Sequence, residues 1–209
     1  MDNFLDFIRK FLPSQTFTDM PQSVQAVQPA SPTPTPVNNF TPEQVRPGIA
    51  GHWGEDNPIL ANLETYLMAG QQLNQQFGID PLLPIIMALR ETQGGKDLLD
   101  PKKLKGENEG LGTNNVFNIR NNTGAFQDYP DLNTAIMGNL GQGGQSGGLT
   151  GLLSGAKPSS KGIYQDFRNN PDDLTQLFSH WSPPQDKNGP LDEQIQNYNW
   201  IKNAILGGG

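Results

Sequence analysis

Apolar side chains recur at helical spacing through the middle and at the end of this 209-residue chain. One such segment follows Asn57 and Pro58, a pair that favours a helix start because Asn caps free amides and Pro suits the first helical position. Its stripe stops before Gly78 and consists of Ile59 or Leu60, Leu63, Leu67, Leu73 and Phe77. A second stripe, Ile195, Tyr198, Ile201 and Ile205, predicts a closing amphipathic helix over Leu191–Leu206.

The helix predicted between these two has no polar face. Asp80 and Pro81 repeat the helix-start pattern, and nearly every residue from Leu82 to Leu89 is apolar. We therefore predict a central, buried helix. Its polar end runs from Arg90 to Gly95, where two glycines suit a left-handed helix exit.

The N-terminal part of the chain has a different composition. Residues 1–12 predict an amphipathic helix, because five apolar residues fall on one stripe: Phe4, Phe7, Ile8, Phe11 and Leu12. A helix this short must dock, on a partner protein, on its own domain or on a membrane surface. We favour a virion or tail protein as partner, since the balanced charges make a membrane unlikely. Residues 13–57 are Pro-rich and predict a linker, followed by a working domain over 58–209.

Two short segments predict a small β-hairpin lobe in an otherwise mainly α domain. Val116–Arg120 and Ala125–Tyr129 alternate apolar and polar residues and are joined by Asn-Asn-Thr-Gly. Asp131–Leu140 is a candidate short helix. Residues 132–156 carry no charge and many glycines, so we predict a flexible surface loop there.

Composition excludes several kinds of site. The chain has no cysteine, which rules out disulfides, thiol nucleophiles and thiolate zinc sites. Its two histidines, His52 and His180, lie far apart in the sequence and predict no metal centre. The net charge of -7 argues against nucleic acid, because such binding depends on Lys and Arg neutralising phosphates. We expect no cofactor and an uncharged or mixed substrate.

Glu91, at the end of the predicted central helix, is the most informative residue for function. Removal of water disfavours the charged form of a carboxylate, so Glu91 is a candidate to keep a proton near neutral pH and act as a general acid. The alternative is a solvated helix end at which Glu91 pairs with Arg90. The helical pattern alone leaves both interpretations open.

Four segments between Ala88 and the last helix carry a family resemblance. In chain order they are Ala88–Gly95, Asn115–Arg120, Phe126–Tyr129 and Trp181–Pro184. Their order and spacing resemble the glucosaminidase-type peptidoglycan hydrolases of the lysozyme-like superfamily, which include flagellar and phage wall-degrading enzymes. The resemblance covers roughly residues 58–206 and implies a lysozyme-like fold.

The resemblance also implies roles for individual residues. It implies that Glu91 protonates the glycosidic oxygen, and that Asn118 and Tyr129 contact or orient the glycan. Trp181 is a further candidate, because an indole ring offers a face to a sugar. From the residues alone, Asn118 could equally be a turn residue, Tyr129 a packing aromatic and Trp181 a structural lid.

Hydrolysis of a glycosidic bond needs a second carboxylate near the acid. The candidates are Glu107, Glu109, Asp100 and Asp128, with Glu109 as our first choice. The alternative for the charged segment around Glu109 is a solvated loop. A lytic transglycosylase would need only one acid/base glutamate, because the sugar's own hydroxyl acts as nucleophile.

The resemblance therefore implies an enzyme that cleaves β-1,4 bonds of the peptidoglycan glycan strand. No signal peptide is recognisable, and a tether precedes the domain, so we expect a virion-associated enzyme or one released at lysis. The chain carries Thr92 and Gln93 where the family has Ser-Gly after its glutamate, which keeps open a structural virion or tail protein with a degenerate domain. A sugar-binding module without turnover is a third possibility.

Overall fold

The computed structural model describes residues 39–99, 113–120, 126–138, 148–156, 161–182 and 189–207. Within these ranges the chain is mainly helical, which confirms the predicted fold class at that level. The helices in these ranges are α1 (Pro42–Trp53), α2 (Pro58–Ala61), α3 (Leu63–Phe77), α4 (Leu83–Glu91), α5 (Leu132–Met137), α6 (Leu149–Leu153), α7 (Gln165–Asn169), α8 (Leu174–Trp181) and α9 (Leu191–Ile205). A 3₁₀ turn, Lys96–Leu99, follows α4.

Helix α4 is the centre of the core, as its uninterrupted apolar sequence predicted. All side chains from Leu83 to Leu89 are buried, and α3 and α9 both pack on this helix. Asp80 fixes its start, because Oδ1 accepts a hydrogen bond from the N–H of Leu82 at 2.9 Å. Oδ2 of the same residue accepts from the Tyr198 hydroxyl at 3.2 Å, which ties α9 to the beginning of α4.

Helices α1 and α9 pack antiparallel at very short range. A Cβ atom at Gly48 would lie 2.0 Å from the carbonyl oxygen of Ile205, so only glycine permits this approach. Farther along, the ring centroids of Trp53 and Trp200 are 5.9 Å apart. Residue numbers rise along α1 while they fall along α9, which gives the antiparallel direction.

Helix α1 corrects the predicted linker, which extended to residue 57. Residues 42–53 are helical, and Val45 and Ile49 are fully buried one turn apart. Pro42 stands in the first turn, where a missing N–H costs little, but Pro47 lies inside the helix. The two prolines obscured the apolar stripe in the sequence. The burial of Val45 and Ile49 offsets the free-energy cost of Pro47 inside the helix.

The other N-terminal predictions concern residues that precede the described part of the chain. Neither the docking helix of residues 1–12 nor the linker up to residue 38 is included, so both stay predictions. None of the helices in the described ranges is long and apolar enough to span a bilayer.

The predicted β-hairpin is reduced, in the described residues, to one antiparallel bridge between Arg120 and Phe126, and no strand is found there. The side chain of Asn115 explains why the first segment is not extended. Its Oδ1 accepts from the N–H of Ile119 at 2.9 Å, and its Nδ2 donates to the Ile119 carbonyl at 2.7 Å. The segment therefore curls around Asn115.

The uncharged, glycine-rich segment is partly core, contrary to its prediction as a surface loop. The candidate helix at Asp131–Leu140 is confirmed as α5, which is capped by Asp131 and followed by α6. Leu149 and Leu153 of α6 are fully buried, and Thr150 Oγ1 donates to the carbonyl oxygen of Ile136 at 3.0 Å. The absence of charge reflects this burial, since small residues let α5 and α6 pack closely. Residues 139–147 lie outside the described ranges.

Candidate active site

Glu91 is the last residue of α4, and its side chain is 14% exposed. Helix α4 ends at this point because the Thr92 hydroxyl donates to the carbonyl oxygen of Ala88 at 2.6 Å and accepts from the N–H of Gly95 at 3.0 Å. Gly94 follows with a φ of 73°, in the left-handed region that the sequence predicted for this exit. The carboxylate thus stands at a fixed helix end, partly shielded from water.

Three N–H donors from different parts of the chain bind the Glu91 carboxylate. Asn118 Nδ2 donates to Oε2 at 2.9 Å. Trp181 Nε1 donates to Oε1 at 3.1 Å, and Arg90 Nη1 donates to the same oxygen at 3.0 Å. Glu91, Asn118 and Trp181, which lie in three different segments of the family resemblance, are therefore close together in the structure.

Asn118 reaches Glu91 from an unusual backbone conformation. Its φ is 52°, in the left-handed region that Asn tolerates better than most residues. Asn115 fixes this turn through its two hydrogen bonds to the backbone of Ile119. Phe117 anchors the same turn in the core, with its ring 6.3 Å from that of Tyr66 in an edge-on arrangement. Asn118 is thus a turn residue whose side chain also contacts Glu91.

Trp181 reaches Glu91 from the end of α8. The carboxylate of Asp173 caps the start of this helix by accepting from the N–H of Thr175 at 3.0 Å. Leu177 is buried one turn before Trp181, so the two side chains lie on the same face of the helix. The half-buried indole directs its N–H at Glu91. The sequence predicted Trp181 as a ring that faces a sugar and did not predict this hydrogen bond.

Arg90 connects the Glu91 carboxylate to α9. Its side chain is 12% exposed, and its Nη2 donates to Gln194 Oε1 at 2.8 Å and to Ser182 Oγ at 3.4 Å. The guanidinium also lies over the Phe178 ring, 4.7 Å from its centroid. Burial lowers the pKa of Arg90, and the neighbouring charge of Glu91 opposes that effect.

Gln194 completes the buried polar network on the α9 side. Its Nε2 donates to the carbonyl oxygens of Ser182 at 3.0 Å and Gly189 at 3.1 Å. Sequence reasoning missed this residue, although a signal existed: Gln194 precedes Tyr198 by one helical turn, and thus places an amide on the buried stripe of α9. A polar side chain at a buried position usually has specific partners.

Tyr129 lies in the core instead of at the surface of the site. Its side chain is 2% exposed, and burial raises its pKa well above the ordinary value. Its backbone N–H donates to the Thr113 carbonyl at 2.9 Å, and its own carbonyl accepts from Asn114 Nδ2 at 2.9 Å. A buried ring offers no surface to a glycan, so this position fits the packing role.

Most candidates for the predicted second carboxylate lie outside the described residues. Glu109, Glu107 and Asp100 all fall in the range 100–112. Asp128 is described, and its Oδ1 accepts from the N–H of Thr113 at 2.7 Å at an exposed position. In the described ranges, no group of three or more His, Asp or Glu side chains lies close enough to hold a metal ion.

Comparison of the whole chain with models of protein families, with curated proteins and with solved structures found no match.

Proposed function

We propose that this chain cleaves β-1,4 glycosidic bonds in the glycan strand of peptidoglycan, with Glu91 as general acid in a lysozyme-like domain. The observation that carries the proposal is the contact of Glu91 with both Asn118 and Trp181. These residues are 27 and 90 positions away from Glu91 in the chain. Their selection rested on sequence segments alone, and their convergence on one carboxylate supports a shared site.

The two oxygens of Glu91 have different roles in this mechanism. Oε1 accepts from both Arg90 and Trp181, which occupies its two lone pairs. Oε2 accepts from Asn118 among the described residues, so one lone pair remains for a proton. Oε2 is therefore the atom that protonates the glycosidic oxygen, while Oε1 holds the carboxyl group in place.

The Glu91 carboxyl group is held in a fixed position and is partly open to a substrate. The carboxyl group is mostly shielded from water but still partly exposed. Its donors lie on α4 (Arg90), in the turn at Asn118 and at the end of α8 (Trp181). Fixed polar groups around a partly dry carboxyl are the usual means by which an enzyme orients a general acid. Trp181 orients Glu91 in this proposal, and Asn118 contacts both Glu91 and the glycan.

Hydrolysis and transglycosylation remain the two forms of the proposed reaction. A hydrolase needs a second carboxylate at a distance of about 5 Å or about 6.5 to 9.5 Å, for which Glu109 is the predicted residue. A lytic transglycosylase would form an anhydro-sugar end and need no second carboxylate. Glu109→Gln should abolish the first reaction and hardly affect the second.

A purely structural role for Glu91 is the rival function, and one observation favours it. The carboxylate is the counter-ion of the buried Arg90 guanidinium, an arrangement that would be kept in a degenerate hydrolase domain of a virion or tail protein. The same chain would then bind or assemble without releasing products from cell walls.

Mass spectrometry of purified peptidoglycan after incubation with the full chain tests the proposal. Reducing ends on the released fragments would identify a hydrolase, and anhydro ends a transglycosylase. Glu91→Gln should release neither, whereas Glu64→Gln, which changes an exposed glutamate on α3, should behave as wild type. A folded wild-type chain that releases no fragments from any wall type would favour the structural role.

Delivery by a phage particle, or release at lysis, is the localisation that we propose for this activity. It rests on the sequence of residues 1–38 and on the proposed wall substrate. Detection of the chain in purified particles, with a loss of incorporation in Phe7→Asp, would test it.

A further inference from the structure

Three aromatic rings form a cluster at the surface, where the end of α1 meets the middle of α9. The ring centroids of His52 and Trp53 are 5.6 Å apart, those of Trp53 and Trp200 5.9 Å, and those of His52 and Trp200 6.1 Å. The two tryptophan rings are nearly perpendicular, at 83°. Trp200 is nevertheless 54% exposed, which is unusual for the largest apolar side chain.

The spacing of the rings decides what the cluster could bind. Centroids 5.6 to 6.1 Å apart place the rings in direct contact, edge-to-face where Trp200 meets His52 and Trp53 and tilted between His52 and Trp53. No space is left between them for an ammonium group, so the cluster is not an aromatic cage for a cation. What is available is the outer surface of Trp200, held by His52 and Trp53 in one orientation. Because the Trp200 side chain is already held in place, a ligand that packs on it loses little binding free energy to the ordering of that side chain.

The helix surface next to Trp200 carries amides. Residues three or four positions away on a helix are neighbours, and here they include the exposed amide residues Gln196, Asn197 and Asn203. The nearby cation, Lys202, forms an ion pair with Asp80 at 2.6 Å. An aromatic ring bordered by amides suits a polar, uncharged ligand whose C–H groups pack on the indole while its hydroxyl or acetamido groups bind the amides.

The cluster is connected to the candidate active site through the turn after α4. A Cβ atom at Gly94 would lie 2.3 Å from Trp53 Cδ1, so the Trp53 ring packs directly against the left-handed turn that follows Glu91. The same contact places Trp53, on which Trp200 packs, beside the turn that follows the proposed acid.

We propose that the surface formed by Trp200, Gln196, Asn197 and Asn203 is a second binding site for a chain of N-acetylated sugars. We call it the Trp200 surface. This inference rests on the proposed function for its ligand class. The site holds the glycan strand at a position separate from the Glu91 carboxyl group, and it retains the protein on the cell wall between cleavage events.

Binding to purified peptidoglycan tests the Trp200 surface in the full chain with Glu91→Gln, which is expected to prevent degradation of the ligand. Co-sedimentation with sacculi stripped of protein and teichoic acid gives the dissociation constant. Adding Trp200→Ala should raise this constant about tenfold or more, the effect usual for removing an aromatic anchor. The matched control adds Met68→Ala, which removes another exposed apolar side chain, 58% exposed on α3, and should leave binding unchanged.

A second measurement follows the indole N–H signals in NMR spectra during titration with a soluble hexamer of N-acetylglucosamine. Trp200→Ala assigns its signal by removing it, and that signal should shift on binding. Unchanged sacculus binding by Trp200→Ala, or a wall-binding chain whose Trp200 signal does not move, overturns the inference. So does a loss of self-association in Trp200→Ala with unaltered wall binding, because the surface would then contact a second copy.

The two proposals fail separately. If the wild-type chain cleaves nothing but Trp200→Ala still weakens binding to sacculi, the Trp200 surface stands and the chain is a glycan-binding protein without turnover. If Glu91→Gln abolishes cleavage while Trp200→Ala binds as tightly as its parent, the proposed acid stands and the Trp200 surface is refuted.

Discussion

Asn118 donates its side-chain amide to Glu91 Oε2 at 2.9 Å from a left-handed backbone conformation. The turn that produces this conformation is fixed by Asn115 and by the buried Phe117, not by Glu91 itself. The position of the amide is therefore set by its own turn. Such preorganisation is typical of groups that orient a catalytic side chain.

Glu91→Gln should separate chemistry from stability. Gln keeps the Oε1 acceptor for Arg90 and Trp181, and Asn118 can turn its amide so that its oxygen accepts from the new NH₂ group. We expect wall cleavage to fall at least about a hundredfold, the scale of general acid catalysis. The free energy of unfolding should fall by only about 1 to 3 kcal/mol, for the loss of charge-assisted hydrogen bonds. Turbidity loss of sacculi and urea unfolding measure the two effects, and cleavage at the wild-type rate would refute the assignment.

Asn118→Gly should reduce activity with little loss of stability. Glycine accepts the left-handed φ of 52° without strain, so the turn is kept while the amide that contacts Glu91 is removed. We expect a change in the free energy of unfolding within about 1 kcal/mol and a decrease in cleavage rate of about tenfold or more.

Asn114→Gly is the matched control for that change. Asn114 has a φ of 54° in the same segment, but its amide donates to the Tyr129 carbonyl instead of to Glu91. Its cleavage rate should stay close to that of wild type. Equal losses of activity in both variants would show that the turn, and not the Asn118 amide, matters.

Arg90 and Gln194 should be energetically coupled, because Arg90 Nη2 donates to Gln194 Oε1 at 2.8 Å in a partly buried position. Arg90→Met leaves Glu91 without its counter-ion and Gln194 Oε1 without its donor, which should cost about 3 to 5 kcal/mol of unfolding free energy. A double-mutant cycle with Gln194→Leu should give a coupling energy of about 0.5 to 3 kcal/mol. Arg46→Met, at an exposed position on α1, is the control with a small effect expected. Additive effects of Arg90→Met and Gln194→Leu would contradict the network.

Two truncations should differ sharply. Removing residues 1–38 keeps all of α1, so we expect a folded chain with full cleavage activity. Removing residues 1–48 cuts α1 in half. It deletes the fully buried Val45 and leaves the fully buried Ile49 at the new chain end. Each such side chain contributes about 1.5 to 3 kcal/mol, so the shorter chain should melt at a clearly lower temperature or fail to fold. Equal melting temperatures for the two chains would show that α1 is not part of the core.

The sequence determined the elements whose signals are local. The apolar run before Glu91, with the helix start at Asp80 and Pro81, predicted a buried helix, and α4 has that position. Asn57 caps the predicted helix start at Pro58, where its Oδ1 accepts from the N–H of Ile59 at 3.0 Å. The single helix predicted from this start is divided into two at Asn62. Helix α9 likewise follows from its apolar spacing. These features depend on neighbours within a few residues, and the chain itself supplies them.

Only the tertiary structure decided which polar residues meet. Arg90 and Gln194 are 104 positions apart, and no local pattern pairs them. Tyr129 belongs to the core because other segments pack around it. Its position in the sequence was equally consistent with a ring that contacts the glycan. Helix α1 forms despite the internal Pro47 because burial of Val45 and Ile49 against other helices outweighs the local cost. Local pattern thus placed Glu91 at a helix end, whereas packing over long sequence distances set its partners.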